Sequence, residues 1–197
     1  MQTQAYFDDI QLHILRELKK AELSIFIAVA WFTDTMIFGL LYNKAKSGVR
    51  VELLLTGDKI NDKHREEHER LRSVGGVITS VGSKNATSTM HNKFCVIDTS
   101  TIITGSYNWS KQAQRNDENI TVIYDANDLA SQFITEFESI KSRQSGNSNL
   151  KADYHKILTR IEALRHVITL EDEDDIQLQI AKLKRLIPEE PGNAGEK

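Results

Sequence analysis

The apolar positions in the first 145 residues are spaced in two ways along the chain. Residues 6–20 place apolar side chains at helical intervals, which predicts an amphipathic helix. The segments 23–33 (LSIFIAVAWFT) and 49–56 (VRVELLLT) are nearly continuous apolar runs, typical of strands buried on both faces. The further predicted elements are helices over 35–46, 60–73 and 127–143, strands over 76–81, 91–98, 101–108 and 119–124, and a helical turn within 110–117. Helices that alternate with strands predict an α/β fold with a parallel or mixed sheet.

The pattern changes after residue 145. A polar stretch within 143–149 (RQSGNSN) is typical of a linker. Residues 151–187 then place apolar side chains at steps of three and four on both sides of an acidic turn (EDEDD), which predicts a helical hairpin with narrow apolar seams. We therefore expect a catalytic domain over 1–145, a linker over 146–150, a hairpin over 151–187 and a disordered tail over 188–197. Narrow seams favour helix association, so the hairpin is expected to mediate a higher oligomer or to dock a protein partner.

Composition narrows the class of protein. The chain has 197 residues, a net charge of -3 and 40% hydrophobic residues, which suits a globular protein with a real core. Its one cysteine excludes an intramolecular disulfide and a cysteine-cluster zinc site. No apolar run approaches the ~18 residues of a membrane helix, and the N-terminal MQTQAYFDDIQL lacks the basic region of a targeting signal. We expect a cytoplasmic protein with no membrane association.

The stretch His91–Asn119 carries the candidate chemistry. His91 and Lys93 are two apart on a predicted strand, so both side chains should leave the same face. Ser106 and Asn108 repeat that spacing on the next predicted strand. An imidazole, an ammonium, a hydroxyl and an amide together suit a phosphodiester, which needs a nucleophile, a cation and neutral donors for its oxygens.

These residues resemble the phospholipase D superfamily. Its HxKxxxxD motif is matched by His91, Lys93 and Asp98, and its downstream GSxN element by Gly105-Ser106-Tyr107-Asn108. Glu118, in the segment NDEN, matches the later acidic residue of the superfamily. The resemblance covers about residues 1–145 and is strongest to small single-motif members, which include bacterial endonucleases and mitochondrial cardiolipin hydrolase-like nucleases. It implies a phospholipase D-like mixed β-sheet flanked by helices, to which the C-terminal helical hairpin is added.

The resemblance also implies roles for the matched residues. His91 and Lys93 are expected to be catalytic, and Ser106 and Asn108 to donate hydrogen bonds to phosphate oxygens. Glu118 is expected to accept a hydrogen bond from the second ring nitrogen of His91 and so to fix its tautomer. Asp98 is an odd number of residues from His91, so its side chain should leave the other face of the strand. Two interpretations therefore stay open: a structural hydrogen bond at the strand end, or a supporting catalytic role.

Two other groups of residues have competing interpretations. Trp31 and Trp109 lie near the ends of strands that should frame the site, where they could stack on bases or simply pack in the core. His64, Glu67 and His68 match the H-x-x-E-H zinc pattern, but the highly charged segment around them favours a solvated helix face over a metal site.

One motif supplies one histidine, whereas the superfamily reaction uses two. A two-fold homodimer would bring both copies of His91 to one site. The predicted function is therefore a metal-independent phosphodiesterase without a cofactor, most simply an endonuclease that cleaves DNA or RNA through a phosphohistidine. A phospholipase D or cardiolipin-type lipid hydrolase and a non-catalytic dimeric scaffold are the alternatives.

Overall fold

The computed structural model describes residues 1–82 and 89–145. The chain divides into two units, Met1–Ser148 and Asn149–Lys197, and the described residues all belong to the first. The predicted linker, hairpin and tail (146–150, 151–187 and 188–197) lie outside the described residues.

The described unit is built from seven strands and five α-helices. The strands are β1 (Gln2–Tyr6), β2 (Ser24–Val29), β3 (Arg50–Thr56), β4 (Val77–Val81), β5 (Lys93–Ile97), β6 (Thr101–Gly105) and β7 (Ile120–Tyr124). The helices are α1 (Ile10–Lys20), α2 (Thr35–Lys46), α3 (Lys59–Asp62), α4 (Arg65–Arg72) and α5 (Asn127–Ser145), with a 3₁₀ turn at Ala113–Arg115.

The strands form one mixed sheet in the order β1-β7-β6-β5-β2-β3-β4. Strands β2, β3 and β4 run parallel and are joined through helices, whereas β5, β6, β7 and β1 pair with antiparallel neighbours. The predicted mixed sheet flanked by helices is thereby confirmed. This topology places the carboxyl ends of β2, β3 and β6 at the same edge of the sheet as the amino ends of β5 and β7.

Both faces of the central strands are buried, as their apolar runs predict. In β2, Ile25, Ile27 and Val29 face the core that includes α1 and α2, whereas Phe26 packs against Phe137 of α5. All six residues of β2 are buried. The interior is therefore continuous on both sides of β2, which makes this strand a rigid support for the residues that follow it.

The largest differences from the sequence prediction concern three elements. Strand β1 was not predicted, because its residues are mostly exposed on both faces and show no apolar alternation. Helix α1 begins at Ile10 rather than residue 6, after Asp9 in the left-handed region (φ 49°). The helix predicted over 60–73 is divided into α3 and α4 because Asn61 turns inward, where its amide donates to Ala30 O and Thr56 O, both at 2.7 Å.

Candidate active site

The candidate site forms where four strand ends meet. Val29 at the end of β2 pairs with Lys93 at the start of β5, and Ala30 N donates to Asn92 O at 3.1 Å. At the neighbouring ends of β6 and β7, Ser106 N donates to Asn119 O at 3.1 Å. His91, Lys93, Ser106, Asn108 and Glu118 all lie in these strand ends or in the segments next to them.

The prediction that strand alternation directs these side chains to one face was wrong. His91 precedes β5, and Ser106 and Asn108 follow β6, so strand alternation does not set their directions. The chain leaves β6 at Gly105, where a Cβ would lie 2.1 Å from the carbonyl oxygen of Asn119. Glycine is required there because the start of β7 approaches so closely, and this approach brings Ser106 beside the segment that carries Glu118.

His91 and Lys93 are linked through the backbone. The His91 side chain is exposed, and Lys93, which is partly buried, donates from Nζ to His91 O at 2.8 Å. Burial lowers the pKa of the Lys93 ammonium, and the negative charge of Glu118 opposes that shift. Lys93 therefore fixes the main chain of His91 while its charge stays within the electrostatic reach of Glu118.

Glu118 has other partners than the one expected. The Ser106 hydroxyl donates to its Oε2, and Asn116 Nδ2 lies 3.4 Å from its Oε1. Ser106 Oγ in turn accepts from Asn119 N at 3.1 Å. Within the described part of the chain, no hydrogen bond joins Glu118 to the His91 imidazole, so here the carboxylate orients Ser106.

Asn108 and Trp31 connect the two halves of the site. Asn108 is buried, and its Oδ1 accepts from Trp31 N at 3.4 Å. The indole of Trp31 lies edge-on to the His91 ring, with ring centroids 5.7 Å apart, and its Nε1 donates to Asp58 Oδ2 at 2.7 Å. The sequence offered no signal for Asp58 beyond a polar residue after a strand, and its role here becomes visible only in the structure.

Trp109 cannot stack on a base as one sequence interpretation allowed. Its side chain is only 2% exposed and packs edge-on against Phe32. Its carbonyl accepts from Thr33 N at 2.9 Å and Asp34 N at 3.1 Å. The residue belongs to the core beneath the site, because a buried ring presents no face to a substrate.

Asp98 lies at the opposite end of β5 from Lys93. Its carboxylate accepts from the backbone N–H groups of Glu22, Leu23 and Ser24, each at 2.8 Å. Of the two roles that the sequence leaves open for Asp98, this geometry supports the structural one. Asp98 fixes the entry into β2, and it lies too far along β5 to contact a substrate at His91.

The H-x-x-E-H segment spans the start of α4. His64 Nδ1 lies 3.5 Å from Glu67 Oε1, and His68 is buried with its ring near Phe38. Burial lowers the pKa of His68. Over residues 1–82 and 89–145, no group of three or more histidine, cysteine or acidic side chains is arranged to hold a metal ion.

Comparison with known proteins agrees with this geometry. A family model described as "Cardiolipin synthase, PLD-like domain" matches residues 14–141. The chain belongs to the phospholipase D-like family.

A phospholipase D of Rickettsia typhi is 32% identical over 133 residues, which are 67% of this chain and 63% of that protein. A mitochondrial cardiolipin hydrolase of Mus musculus is 30% identical over 128 residues, covering 64% of this chain and 56% of the relative. The match thus spans less than two thirds of the length of these relatives.

Two solved structures share the fold. Nuc from Salmonella typhimurium, a phospholipase D family member, superposes with a TM-score of 0.63 at 21% identity, over 72% of this chain and 94% of Nuc. NucT from Helicobacter pylori gives a TM-score of 0.63 at 18% identity, over 72% and 96% of the two chains. Among the described residues, no helix is long and apolar enough to cross a bilayer.

Proposed function

We propose that this phospholipase D-like protein is a metal-independent phosphodiesterase that cleaves nucleic acid. The observation that carries the proposal is the position of His91, Lys93, Ser106, Asn108 and Glu118 at the strand ends of one edge of the sheet, with two pairs of them in direct contact. Lys93 bonds to the backbone of His91, and the Ser106 hydroxyl bonds to Glu118. A nucleophile, a cation and neutral donors are thus held side by side.

In the proposed reaction, a nitrogen of His91 attacks phosphorus and displaces the leaving oxygen, which takes a proton from a second histidine. That second histidine then removes a proton from water, whose oxygen attacks the phosphohistidine and releases the phosphate product. The ammonium of Lys93 and the amide of Asn108 stabilise the charge on the non-bridging oxygens. Lys93 supplies the positive charge that a metal ion would otherwise provide.

The second histidine is proposed to be His91 of another copy. An isologous two-fold contact places the same residue of both subunits near the axis, so one shared site would hold two imidazoles. Mixing inactive His91→Ala subunits with wild type tests this arrangement after subunit exchange. A shared site makes the heterodimers inactive, so activity falls below the wild-type subunit fraction. Activity that follows this fraction linearly would show that each subunit acts alone.

Polar side chains next to the candidate residues suit a phosphate-containing substrate such as a polynucleotide. Asn92 precedes Lys93, the exposed Asn119 follows Glu118, and the exposed Asn116 lies two residues before it. Amide side chains are frequent partners of phosphate and sugar oxygens. The names of the structural neighbours Nuc and NucT agree with this choice, whereas the Rickettsia phospholipases D and the cardiolipin hydrolases support a lipid as the second candidate substrate.

A substrate panel tests both candidates at once. Purified protein is incubated with labelled single-stranded DNA, double-stranded DNA, RNA and cardiolipin vesicles, each with EDTA. We expect cleavage of nucleic acid in EDTA, lost in His91→Ala and reduced by about 10²–10³-fold in Lys93→Ala, the range for loss of one oxyanion donor. Lys46→Ala, which changes an exposed lysine at the C-terminal end of α2, is the matched control.

Three results would contradict the proposal. Release of phosphatidic acid from cardiolipin without nucleic-acid cleavage would assign the lipid activity instead. Activity that disappears in EDTA and returns with Mg²⁺ would exclude the metal-independent reaction. Cleavage that persists in His91→Ala at the wild-type rate would place the chemistry elsewhere.

A further inference from the structure

Asp58, Trp31 and His91 form a chain of contacts that leads from a helix terminus to the candidate nucleophile. Asp58 Oδ2 accepts from the indole Nε1 of Trp31 at 2.7 Å. The indole and the imidazole of His91 lie 5.7 Å apart at an interplanar angle of 82°, an edge-to-face contact. Rings in this geometry attract each other, so each restricts the rotation of the other.

The indole is held on a rigid base. The other carboxylate oxygen of Asp58 accepts from Ile60 N at 2.9 Å and Asn61 N at 3.1 Å, which caps α3. The buried amide of Asn61 in turn binds the backbone on both sides of Trp31: it donates to Ala30 O and accepts from Phe32 N at 3.0 Å. The backbone and the ring edge of Trp31 are thus fixed independently.

The His91 ring has few other constraints. Within residues 1–82 and 89–145, no hydrogen bond to the imidazole is formed, and Trp31 provides its ring contact. Lys93 fixes only the main-chain carbonyl of His91. An imidazole that attacks phosphorus must present one nitrogen along a defined direction, and a misplacement of about 1 Å costs roughly 10²-fold in rate.

We propose that Trp31, anchored by Asp58, is a positioning residue that sets the rotation of the His91 ring for attack on phosphorus. This inference rests on the proposed phosphodiesterase function and deepens it. The indole acts on the imidazole rather than on a base of the substrate, so its contribution is independent of whether the substrate has bases.

Two variants remove the anchor in different ways. Trp31→Phe keeps an aromatic ring but lacks the N–H group. Asp58→Asn keeps one side-chain oxygen, which should still accept from the backbone N–H groups of Ile60 and Asn61. Its NH₂ group then faces the indole N–H, and two donors cannot form a hydrogen bond. Both variants should therefore keep the helix cap and lose the Trp31–Asp58 bond. Asp62→Asn is the matched control, because it removes a carboxylate from the same helix at an exposed position.

The kinetic test uses a nucleic acid and the base-free substrate methyl p-nitrophenyl phosphate. We expect each variant to lower kcat by about 10- to 100-fold on both substrates with little change in KM, the scale for a misplaced catalytic group. The double variant should be no slower than the slower single variant, because both changes break the same bond. A higher KM confined to nucleic acid would instead make Trp31 a base-stacking residue and overturn the proposal.

A spectroscopic test does not need activity. The ring current of Trp31 should displace the imidazole proton resonances of His91, which are assigned by their loss in His91→Ala. We expect these resonances to move in Trp31→Phe and Asp58→Asn and to stay in place in Asp62→Asn. Unchanged resonances in both anchor variants would overturn the positioning role, even if no substrate in the panel is cleaved. Wild-type inactivity with displaced resonances would instead contradict the proposed function alone.

Discussion

At the scale of single residues, Lys93 is subject to two opposing influences. Burial disfavours its charged form, while the carboxylate of Glu118 favours it, and the net result is a lowered pKa. A lysine is cationic only below its pKa. The site therefore loses the Lys93 charge at a lower pH than a solvent-exposed lysine would.

This shift predicts the alkaline limit of activity. The proposed reaction needs the Lys93 cation, so kcat/KM should begin to fall below pH 10.5, the ordinary pKa of lysine. Lys93→Arg should move this limit to higher pH even if its maximum rate is lower, because arginine stays charged up to a pKa above about 12. The pH–rate profile measures the limit, with Lys46→Arg as the control. An identical alkaline limit in wild type and Lys93→Arg would exclude Lys93 as its origin.

Asp98 illustrates how a motif residue can serve the fold rather than the chemistry. Asp98 lies five residue steps along β5 from Lys93, a distance of roughly 16 Å in extended chain. Asp98→Ala should lower the free energy of unfolding by about 1–3 kcal/mol, because backbone N–H groups lose their acceptor. Denaturant unfolding measures this loss, and kcat measured well below the unfolding transition should stay at the wild-type value. A large fall in kcat of the folded variant would restore a catalytic role.

At the scale of elements, the tight turn between β5 and β6 holds a residue in an unfavourable conformation. Asp98 and Thr99 both have positive φ angles, 48° and 56°, and Ser100 N donates to Ile97 O at 3.1 Å. Positive φ angles at both central residues of a hydrogen-bonded turn are typical of a type I′ turn, whose second central position favours glycine. Threonine is β-branched and poorly suited to this region.

Thr99→Gly should therefore stabilise the protein by about 1 kcal/mol, since the left-handed region costs a non-glycine residue about 1–2 kcal/mol and glycine loses part of that gain to chain entropy. Thermal unfolding measures the change. Thr101→Gly is the comparison, because Thr101 lies in β6, where glycine should lower stability by about 0.5–1 kcal/mol. Equal destabilisation by both substitutions would contradict the strain assigned to Thr99.

The elements also show what the sequence could and could not predict. The runs that became β2 and β3 were predicted because strands buried on both faces have a continuous apolar pattern. Strand β1 was missed because an exposed edge strand has no such pattern. The division of the helix at Asn61 was missed because its cause is tertiary: the side chain binds the backbone of Ala30 and Thr56.

The same distinction applies within the site. The candidate residues His91, Lys93, Ser106 and Asn108 could be selected from the sequence, since residue types in a motif can be read directly. The partner of Glu118 and the burial of Trp109 depend on how strand ends approach one another, which a linear pattern does not specify. Asp58 was missed for the same reason, because it reaches the site only through Trp31.

At the scale of the whole molecule, the two units of the chain predict a separable function. Met1–Ser148 contains the seven strands that the structure describes and every candidate catalytic residue. A truncation after Ser148 should therefore remain folded and cleave a short substrate, whereas assembly above the proposed dimer should change if residues 151–187 mediate it. Light scattering and cleavage assays compare the truncated and full-length chains. An unfolded or aggregated truncation would show that the C-terminal residues complete the core.

The pairing of β2 with β5 has a consequence for the order in which the protein matures. The segments that meet there, Ser24–Val29 and Lys93–Ile97, lie far apart along the chain, so the loop between them must close before they can pair. Trp31 and Asp58 belong to one side of this junction, and His91 and Lys93 to the other. A nascent or partly refolded chain therefore contains the candidate catalytic residues before it contains the candidate site. Regain of cleavage activity during refolding should thus report the closure of this junction rather than the first collapse of the chain.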